Sequence, residues 1–391
     1  MIKEIYFDNS ATTPLCQESK NAMQEVIDSV YGNPSSLHSI GLAAEKIVNA
    51  SRAEVLASLG IRGDTKQLIF CGSGSEANNL ATVGVYTSKK RSSGARVITT
   101  MGEHSSIEAA MCHLETLGAD VIRLSTKSGE IDFDEFLSAL TPNTVLISIM
   151  LVNNETGARY PVEEIFKTAK MRFPEIICHC DAVQAYGKLK FTPKSLGADL
   201  VTVSAHKIHG PKGIAALYVS PEILKRRALY PIIHGGQQEN GLRAGTENTI
   251  GIAGFGAAAK ATALSLSNTL NTVSEVSKHI IARISNDPKL KEIRVNLPKN
   301  ATPNIINITL PNIKSETMLH FLSGKGIFIS SGSACSSHSK SVSRALSAFG
   351  ISDKEADCSV RISICAYNTI EEANALCDSL AEGVASLVRI K

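Results

Sequence analysis

The segment Ser204-Ala205-His206-Lys207-Ile208-His209-Gly210-Pro211-Lys212-Gly213 lies between two short apolar runs, Leu200 to Val203 and Ile214 to Val219. Each run has the length and composition of a buried strand, and the Gly and Pro residues predict a tight connection between the two. Lys207 is therefore expected at the end of a core strand and not free on a surface. Partial burial there favours the neutral amine, which is the form that attacks a carbonyl.

Two neighbours of Lys207 suit a phosphate group. Ser204 and His206 flank the lysine with short-range hydrogen-bond donors. A lysine amine beside an anchored phosphate is what the cofactor pyridoxal 5′-phosphate (PLP) requires, because PLP is held through its aldehyde and its phosphate. The alternative is a basic surface turn between strands, since short motifs also occur by chance. The rest of the chain must decide between these two interpretations.

Composition narrows the class of protein. The chain has 391 residues, of which 43% are hydrophobic, and this is enough for two or three domains with sizeable cores. The net charge of +3 is too small to indicate binding to nucleic acid or to a membrane. The first residues lack the apolar run of a signal peptide, and no stretch is expected to span a bilayer. We therefore expect a cytoplasmic protein.

The nine cysteines are not expected to form a disulfide framework in a cytoplasmic chain. Several lie in apolar patterns and are predicted to be small core residues, namely Cys71, Cys112, Cys178, Cys180, Cys365 and Cys377. The run Cys178-His179-Cys180 has a spacing found in metal sites. Because no second Cys/His pair completes a tetrahedral set, no metal is predicted there.

Cys335 has a different setting from the other cysteines. It lies in a segment from Ile329 to Ser341 that is rich in Ser and Gly, which predicts a loop with little to bury. A thiol on such a loop is typical of nucleophilic or redox chemistry or of metal binding, and nearby His338 and Lys340 favour the thiolate. The alternative is an incidental exposed cysteine.

A second candidate phosphate site precedes the lysine segment. A predicted strand, 67–71, runs into Gly72-Ser73-Gly74-Ser75, which opens a helix that continues to about Thr87. Backbone N–H groups, hydroxyls and the positive end of a helix converge in such a turn. The motif is neither a dinucleotide fingerprint nor a Walker A loop, because the third glycine and the Gly-Lys-Ser/Thr sequence are missing. Taken alone it is a weak signal.

Predicted strands and helices alternate through the first two thirds of the chain. Strands at 96–100, 120–124, 144–151, 176–181 and 200–205 are separated by helical patterns. This rhythm predicts a large α/β domain with a mostly parallel sheet, whose ligand lies at the carboxyl ends of the strands. A long helical pattern at 250–286 then leads into a smaller α/β domain. We predict a large domain at 16–262 and a small domain formed by 1–15 and 263–391.

Polar residues follow the predicted strands at the ends where a ligand is expected. His104, Asn154, Asp181 and Lys207 each come just after a strand. Asp181 would pair with a pyridine nitrogen, and His104 would stack on the pyridine ring and later move protons. Asn154 and Gln184 would bind the phenolic oxygen or the substrate. The alternative for each is capping or turn chemistry.

Assembled in order, these segments resemble the cysteine desulfurases of the NifS/IscS type, in the class-V aminotransferase group of fold-type I PLP enzymes. The resemblance runs nearly end to end. It is carried by the following segments: 6–13, Gly32-Asn33-Pro34-Ser35-Ser36-Leu37-His38, Gly102-Glu103-His104, 152–157, Asp181-Ala182-Val183-Gln184, the Lys207 segment, Arg243-Ala244-Gly245-Thr246 and Ser331-Gly332-Ser333-Ala334-Cys335. The resemblance implies a PLP-dependent transferase fold with a seven-stranded type of sheet and a smaller C-terminal domain.

The resemblance also implies how PLP is held. Lys207 would carry the cofactor through its aldehyde, Asp181 would pair with the ring nitrogen and Gln184 with the phenolic oxygen. His104 would stack on the ring. The phosphate would be bound by Gly74, Ser75, Ser204 and His206, with Thr246 of the partner subunit of a homodimer.

The substrate implied by the resemblance is L-cysteine. Arg361 would bind its carboxylate, assisted by Asn154, and the Asn33 loop would border the entrance. Cys335 would attack the substrate's sulfur, leaving a persulfide on the enzyme and releasing L-alanine. The persulfide would pass to an acceptor protein for iron–sulfur cluster assembly or tRNA thiolation.

The chain departs from the family pattern in three places, one of which is His338, three residues after Cys335, an additional candidate for tuning the thiol. Ser75 stands where the family often has threonine. Serine keeps the hydroxyl, so phosphate binding is still expected. The segment from Cys335 to Arg344 is shorter than in many members and lacks their proline, which leaves the acceptor open. Two alternatives therefore stand beside a cysteine desulfurase: a selenocysteine lyase or another class-V PLP enzyme that does not use Cys335, and a non-catalytic protein on the same fold.

Overall fold

The computed structural model describes residues 4–88, 94–331 and 343–390. Its helices are α1 (Gln17–Ser29), α2 (Ser39–Ser58), α3 (Gly74–Thr87), α4 (Ser105–Thr116), α5 (Phe133–Ala139), α6 (Val162–Arg172), α7 (Pro193–Leu196), α8 (Pro221–Arg226), α9 (Thr249–Asn286), α10 (Ser315–Ser323), α11 (Arg344–Phe349), α12 (Asp353–Asp357) and α13 (Ile370–Ser386). Its strands are β1 (Ile5–Tyr6), β2 (Leu68–Cys71), β3 (Arg96–Thr100), β4 (Asp120–Leu124), β5 (Thr144–Met150), β6 (Ile177–Asp181), β7 (Leu200–Ser204), β8 (Ala215–Val219), β9 (Arg294–Val295), β10 (Ile305–Thr309), β11 (Ile327–Phe328), β12 (Ser330–Ser331) and β13 (Ser359–Ser363).

The large sheet has seven strands in the order β2-β8-β7-β6-β5-β3-β4. Strand β8 runs antiparallel to both of its neighbours, and the other pairs are parallel. The predicted mostly parallel sheet is therefore confirmed. Because β3, β5, β6 and β7 run in the same direction, the residues that follow them emerge at one edge of the sheet.

Both faces of this sheet are buried, which explains why its strands read as continuous apolar runs. In β2, Leu68 and Phe70 pack on one face with residues of α2, α6 and α9. Ile69 and Cys71 point to the other face and pack with residues of α3 and α4. This period-two alternation places the helices in two layers around the sheet.

A second core belongs to the smaller sheet, whose order is β12-β13-β10-β9. Its strands pack with α10, α13 and the second half of α9. Phe7 joins this core, and its carbonyl accepts a hydrogen bond from Ser363 N at 2.7 Å. The predicted domain boundary at 262/263 falls inside α9, which contributes residues to both cores. The division into domains stays a prediction.

Two expectations from the sequence are wrong. Cys112, predicted to be a core residue, lies exposed on α4 because it falls on the helix face turned away from the sheet. Helix α9 is long and apolar enough, by length and composition, to cross a membrane, whereas no such stretch was expected. Its first half packs against α1 and α2, although less than half of its most apolar 18-residue stretch is buried inside the structure.

The run Cys178-His179-Cys180 lies in β6, the most central part of the large core. His179 is fully buried, with Nδ1 2.8 Å from Ser148 Oγ and Nε2 3.0 Å from Thr202 Oγ1. Cys178 and Cys180 pack in the apolar layer under α6 and α9. The ring nitrogens of His179 thus bond to hydroxyls of the two neighbouring strands.

Candidate active site

A cavity of about 310 Å³ opens where the parallel strands end. Most of the predicted site residues line it: Gly74, Ser75, His104, Asn154, Asp181, Gln184, Ser204, His206, Lys207 and Arg361. They come from the ends of four strands, from the first turn of α3 and from β13. The parallel strand direction brings these side chains together, although they are far apart in sequence.

Lys207 closes a single 3₁₀ turn, Ala205–Lys207, that follows β7. Its Nζ donates hydrogen bonds to the carbonyl oxygens of Ser10 and of Ala11, the latter at 2.9 Å. Thr13 N in turn donates to the carbonyl of His206 at 2.9 Å. The N-terminal segment is therefore bound to the lysine turn, and its carbonyls orient the amine at the cavity wall.

Asp181 ends β6 and is 5% exposed. Its Oδ2 accepts from Asn78 Nδ2 at 2.8 Å and its Oδ1 accepts from Val183 N at 3.0 Å. Hydrogen bonds to both oxygens fix the orientation of this buried carboxylate at the cavity wall, where it is suited to pair with a protonated ring nitrogen.

His104 is the N-cap of α4, and its Nδ1 accepts from Ser106 N at 3.2 Å. Burial lowers the pKa of His104; the charge of Asp181 raises it and that of Lys207 lowers it, both to a smaller extent. The imidazole is therefore neutral near pH 7. A neutral ring in this position is suited to stacking on a cofactor.

The cavity has an end suited to a phosphate. Ser204 Oγ is buried there without a hydrogen-bond partner among the described residues. Gly74 begins α3, so the positive end of a 14-residue helix faces the same space. Burial, followed by the charge of Lys207, lowers the pKa of His206 to about 4, which keeps its ring neutral. An oxyanion would supply the partner that Ser204 lacks.

Gln184 is held by two hydrogen bonds of opposite direction. Its Nε2 donates to the carbonyl of Ser10 at 3.0 Å, and its Oε1 accepts from Lys188 Nζ at 3.2 Å. Burial, followed by the charge of Lys207, lowers the pKa of Lys188 to about 7. Because the carbonyl oxygen of Ser10 can only accept, the amide nitrogen of Gln184 must face Ser10, which leaves Oε1 to accept from Lys188.

Arg361 lies in the middle of β13 and is 3% exposed. Its Nη2 donates to Asp8 Oδ1 at 2.8 Å and its Nη1 donates to the carbonyl of Asn154 at 2.9 Å. Nε is buried without a partner among the described residues. A planar guanidinium held in this way is suited to a carboxylate ligand.

Some predicted site residues do not line this cavity. Thr246 lies beside a separate small cavity of about 140 Å³, and Asn33 lies in the exposed connection between α1 and α2. Cys335 and His338 fall outside the residues that the structure describes. A neighbouring cavity of about 410 Å³ also reaches Lys207, but neither Asp181 nor His104 lines it.

Four residues of the site were missed from the sequence: Asp8, Asn78, Ser106 and Lys188. Asn78 comes one turn after Gly74 on α3, so helical spacing places it on the same face as the predicted phosphate site. Ser106 lies two positions after His104, and Lys188 lies four positions after Gln184. No comparable signal marks Asp8, whose partner Arg361 is separated from it by most of the chain.

The residues present fit PLP. The orphaned Ser204 hydroxyl and the start of α3 match the phosphate, Asp181 matches the ring nitrogen, and the Lys207 amine matches the aldehyde. Donors, a carboxylate and an amine therefore line one cavity in the kinds and numbers that this cofactor requires.

Comparison with known proteins gives consistent matches over the whole chain. The profile of the family described as aminotransferase class-V matches residues 5–376. The chain is 36% identical over 382 residues to cysteine desulfurase IscS of Dictyoglomus turgidum, covering 97% of this chain and 94% of the relative. It is 37% identical over 385 residues to a cysteine desulfurase of a Nostoc species, covering 98% of this chain and 93% of the relative. A solved NifS-like protein superposes with a TM-score of 0.89 at 31% identity, covering 98% of this chain and all of that one.

Proposed function

The chain belongs to the class-V aminotransferase family, as a PLP-dependent cysteine desulfurase of the NifS/IscS type, and on this premise we propose which of its residues perform the reaction and what it serves. The observation that carries the proposal is the convergence of Lys207, Asp181, His104 and Arg361 on one cavity. A non-catalytic protein on this fold would have no reason to keep an amine, a carboxylate, an imidazole and a guanidinium together.

The predicted site residues that line the cavity divide the tasks of the reaction among them. When bound, PLP supplies an electron sink that weakens the bonds at the substrate's Cα and Cβ. Lys207 Nζ holds the cofactor at rest and moves the Cα proton during turnover. Asp181 keeps the ring nitrogen protonated, and Ser204, His206, Gly74 and Ser75 bind the phosphate. Gln184 and Asn154 bind the phenolic oxygen and the substrate.

Arg361 binds the carboxylate of L-cysteine, and Cys335 takes the substrate's sulfur. A bond forms between the Cys335 sulfur and the substrate sulfur while the substrate's Cβ–S bond breaks. The electron pair of the broken bond stays on carbon, which gains a proton, and L-alanine leaves. The enzyme retains a Cys335 persulfide, so no outside oxidant or reductant is needed.

The described residues on either side of Cys335 support this role. Ser330 of β12 pairs with Arg361 of β13, and Ser343 Oγ donates to Glu155 Oε2 at 2.5 Å. Glu155 follows Asn154, which lines the cavity. The segment that carries Cys335 therefore begins and ends next to the residues proposed to bind the substrate's carboxylate.

The reaction is tested by measuring sulfide and L-alanine released from L-cysteine in the presence of a reductant. We expect Cys335→Ala and Lys207→Ala each to lose at least about 100-fold in rate, with cofactor absorbance kept only in Cys335→Ala. Cys112→Ala, which removes an exposed cysteine elsewhere, is the control and keeps the wild-type rate.

Wild-type sulfide release by Cys335→Ala would reject the persulfide mechanism. If Cys335→Ala also released selenide from L-selenocysteine at the wild-type rate, a selenocysteine lyase that does not use Cys335 would replace the proposed cysteine desulfurase mechanism.

We further propose that the enzyme is a homodimer and hands its persulfide to an iron–sulfur scaffold or a tRNA thiolation protein. Thr246 does not line the cavity of its own chain, which supports a role for Thr246 of the partner subunit at the phosphate. A molar mass near 42 kDa in solution, that of one 41.6 kDa chain, would contradict the dimer. Transfer of ³⁵S from the loaded enzyme to each purified acceptor distinguishes the two pathways.

A cytoplasmic location is also proposed. The cysteines in the part of the chain that the structure describes are all unpaired, which suits a reducing compartment. Cell fractionation tests it, and recovery of the protein in an oxidising compartment would contradict it.

A further inference from the structure

A chain of hydrogen bonds along the wall of the cavity joins Asp181 to His104. Asn78 Nδ2 donates to Asp181 Oδ2 at 2.8 Å and to Ser106 Oγ at 2.9 Å. Ser106 Oγ lies 2.8 Å from His104 Nδ1. Asn78 and Ser106 are buried, and both line the cavity without any role in the reaction described above.

The chemistry of the groups sets the direction of each bond. A carboxylate only accepts, so Asn78 must turn its amide nitrogen toward Asp181. The two amide hydrogens then serve Asp181 and Ser106. This orientation leaves Asn78 Oδ1 buried without a partner among the described residues. The opposite orientation would move that cost onto Asp181, whose Oδ2 would lose its hydrogen-bond donor.

The same logic continues to the imidazole. Because Ser106 Oγ accepts from Asn78, its own hydrogen is available for His104 Nδ1. The backbone N–H of Ser106 also donates to Nδ1, at 3.2 Å. An atom that receives two donors carries no hydrogen, so the ring hydrogen of neutral His104 lies on Nε2.

We propose that Ser106 and Asn78 are positioning residues that select the Nε2–H tautomer of His104 and hold the plane of its ring. The inference rests on the proposed function and on the role expected for His104 from the sequence, namely stacking on the cofactor and moving protons. Nε2 is then the nitrogen that donates toward the substrate, whereas Nδ1 accepts hydrogen bonds from Ser106 in the first turn of α4. The charges that act on His104 are those of Asp181 and Lys207.

The tautomer is measured directly by imidazole ¹⁵N shifts in cofactor-free protein labelled with ¹⁵N-histidine. The signals of His104 are assigned from their loss in His104→Gln. In the wild type we expect a protonated Nε2 and an unprotonated Nδ1. Ser106→Ala removes one of the two donors to Nδ1 and is expected to move the Nδ1 and Nε2 shifts toward each other, as tautomers mix.

The kinetic effect separates positioning from binding. Ser106→Ala is expected to lower kcat about tenfold, the effect of one lost hydrogen bond to His104. Asn78→Ala, which also removes the hydrogen bond to Asp181, is expected to lower kcat at least as much, while KM for L-cysteine stays within about twofold in both variants. Ser106→Thr keeps the hydroxyl and restores both the shifts and kcat. Ser105→Ala, at the exposed neighbouring position of the same helix, is the matched control and behaves as wild type.

The inference is overturned if wild-type His104 carries its hydrogen on Nδ1, or if Ser106→Ala keeps the wild-type tautomer. Failure of the proposed function would look different, because wild-type protein would then release no alanine from L-cysteine while the ¹⁵N shifts of His104 still responded to Ser106→Ala.

Discussion

Arg361 Nη2 and Asp8 Oδ1 form an ion pair at 2.8 Å across the junction between the N-terminal segment and β13. The arginine proposed to bind the substrate's carboxylate thus already has a carboxylate partner within the chain. Because both side chains are largely buried, the pair is only weakly screened by water. Asp8 keeps Arg361 in place, and under the proposed function it also competes with the substrate's carboxylate for the guanidinium.

Replacing Asp8 with Asn removes this competitor. We expect Asp8→Asn to lower KM for L-cysteine by about three- to tenfold, since a substrate carboxylate no longer displaces a charged partner. Stability should fall by about 3 kcal/mol, because Arg361 is left buried without its counter-charge. Initial rates and thermal unfolding measure the two effects. Asp8→Glu, which keeps the charge, is the control, and a raised KM in Asp8→Asn would mean that Asp8 only positions Arg361.

Ser204→Ala tests the phosphate end of the cavity. Ser204 Oγ is buried and unpartnered among the described residues, so its removal should leave cofactor-free protein as stable as wild type or up to about 1 kcal/mol more stable. PLP affinity should weaken at least about tenfold, since one hydrogen bond to a charged group is lost. Equilibrium titration with PLP and thermal unfolding without it provide the two values.

Thr99→Val is the matched control for Ser204→Ala. Thr99 Oγ1, in β3, is also buried without a hydrogen-bond partner in the described part of the chain, but it does not line the cavity. Its loss should affect stability in the same direction and leave PLP affinity unchanged. Equal PLP affinity in wild type and Ser204→Ala would remove Ser204 from the phosphate site.

His179 makes the stability of the large domain depend on pH. Burial lowers the pKa of His179 to about 3 in the folded protein, whereas the unfolded chain titrates near 6.5. Between these values the unfolded state binds one more proton, so stability is present above pH 6.5 and is lost as pH falls toward 3. His179→Gln should remove up to about 1.4 kcal/mol per pH unit of this slope. Denaturant unfolding of wild type and His179→Gln at pH 6.5, 5.5 and 4.5 gives the slope of unfolding free energy against pH for each protein. Equal slopes would contradict the prediction.

Arg52 and Glu239 form a buried bidentate pair at 2.6 and 2.7 Å, and Glu239 Oε2 also accepts from Phe70 N at 2.9 Å. Arg52→Met leaves the carboxylate buried without its cation and should cost about 3–5 kcal/mol of unfolding free energy. Adding Glu239→Gln to this variant should recover part of the loss. The control is Arg294→Met, which breaks an exposed pair with Glu355 and should cost less than about 1 kcal/mol. Equal losses in the two arginine variants would contradict the argument.

Regular elements of the fold follow from local sequence. The strand β7 and the start of α3 leave local signatures in the sequence, namely a short apolar run and a Gly/Ser turn with a helix N-cap, so pattern and composition predict them to within a few residues. The polar strand ends likewise predict one crevice, because parallel strands share a direction. Lys207, Asp181 and His104 were found in this way.

Other features depend on contacts between residues distant in sequence, which no local pattern contains. The pairing of Asp8 with Arg361 requires the N-terminal segment to lie against β13, and the exposure of Cys112 depends on which face of α4 meets the sheet. Asn78 and Ser106 carry no motif of their own; only packing of α3 against α4 brings them between Asp181 and His104. The sequence by itself determined the kinds of chemical groups at the site and the sheet edge at which they gather. The tertiary structure decided which group bonds to which, because hydrogen-bond partners and burial depend on the three-dimensional arrangement of the whole chain.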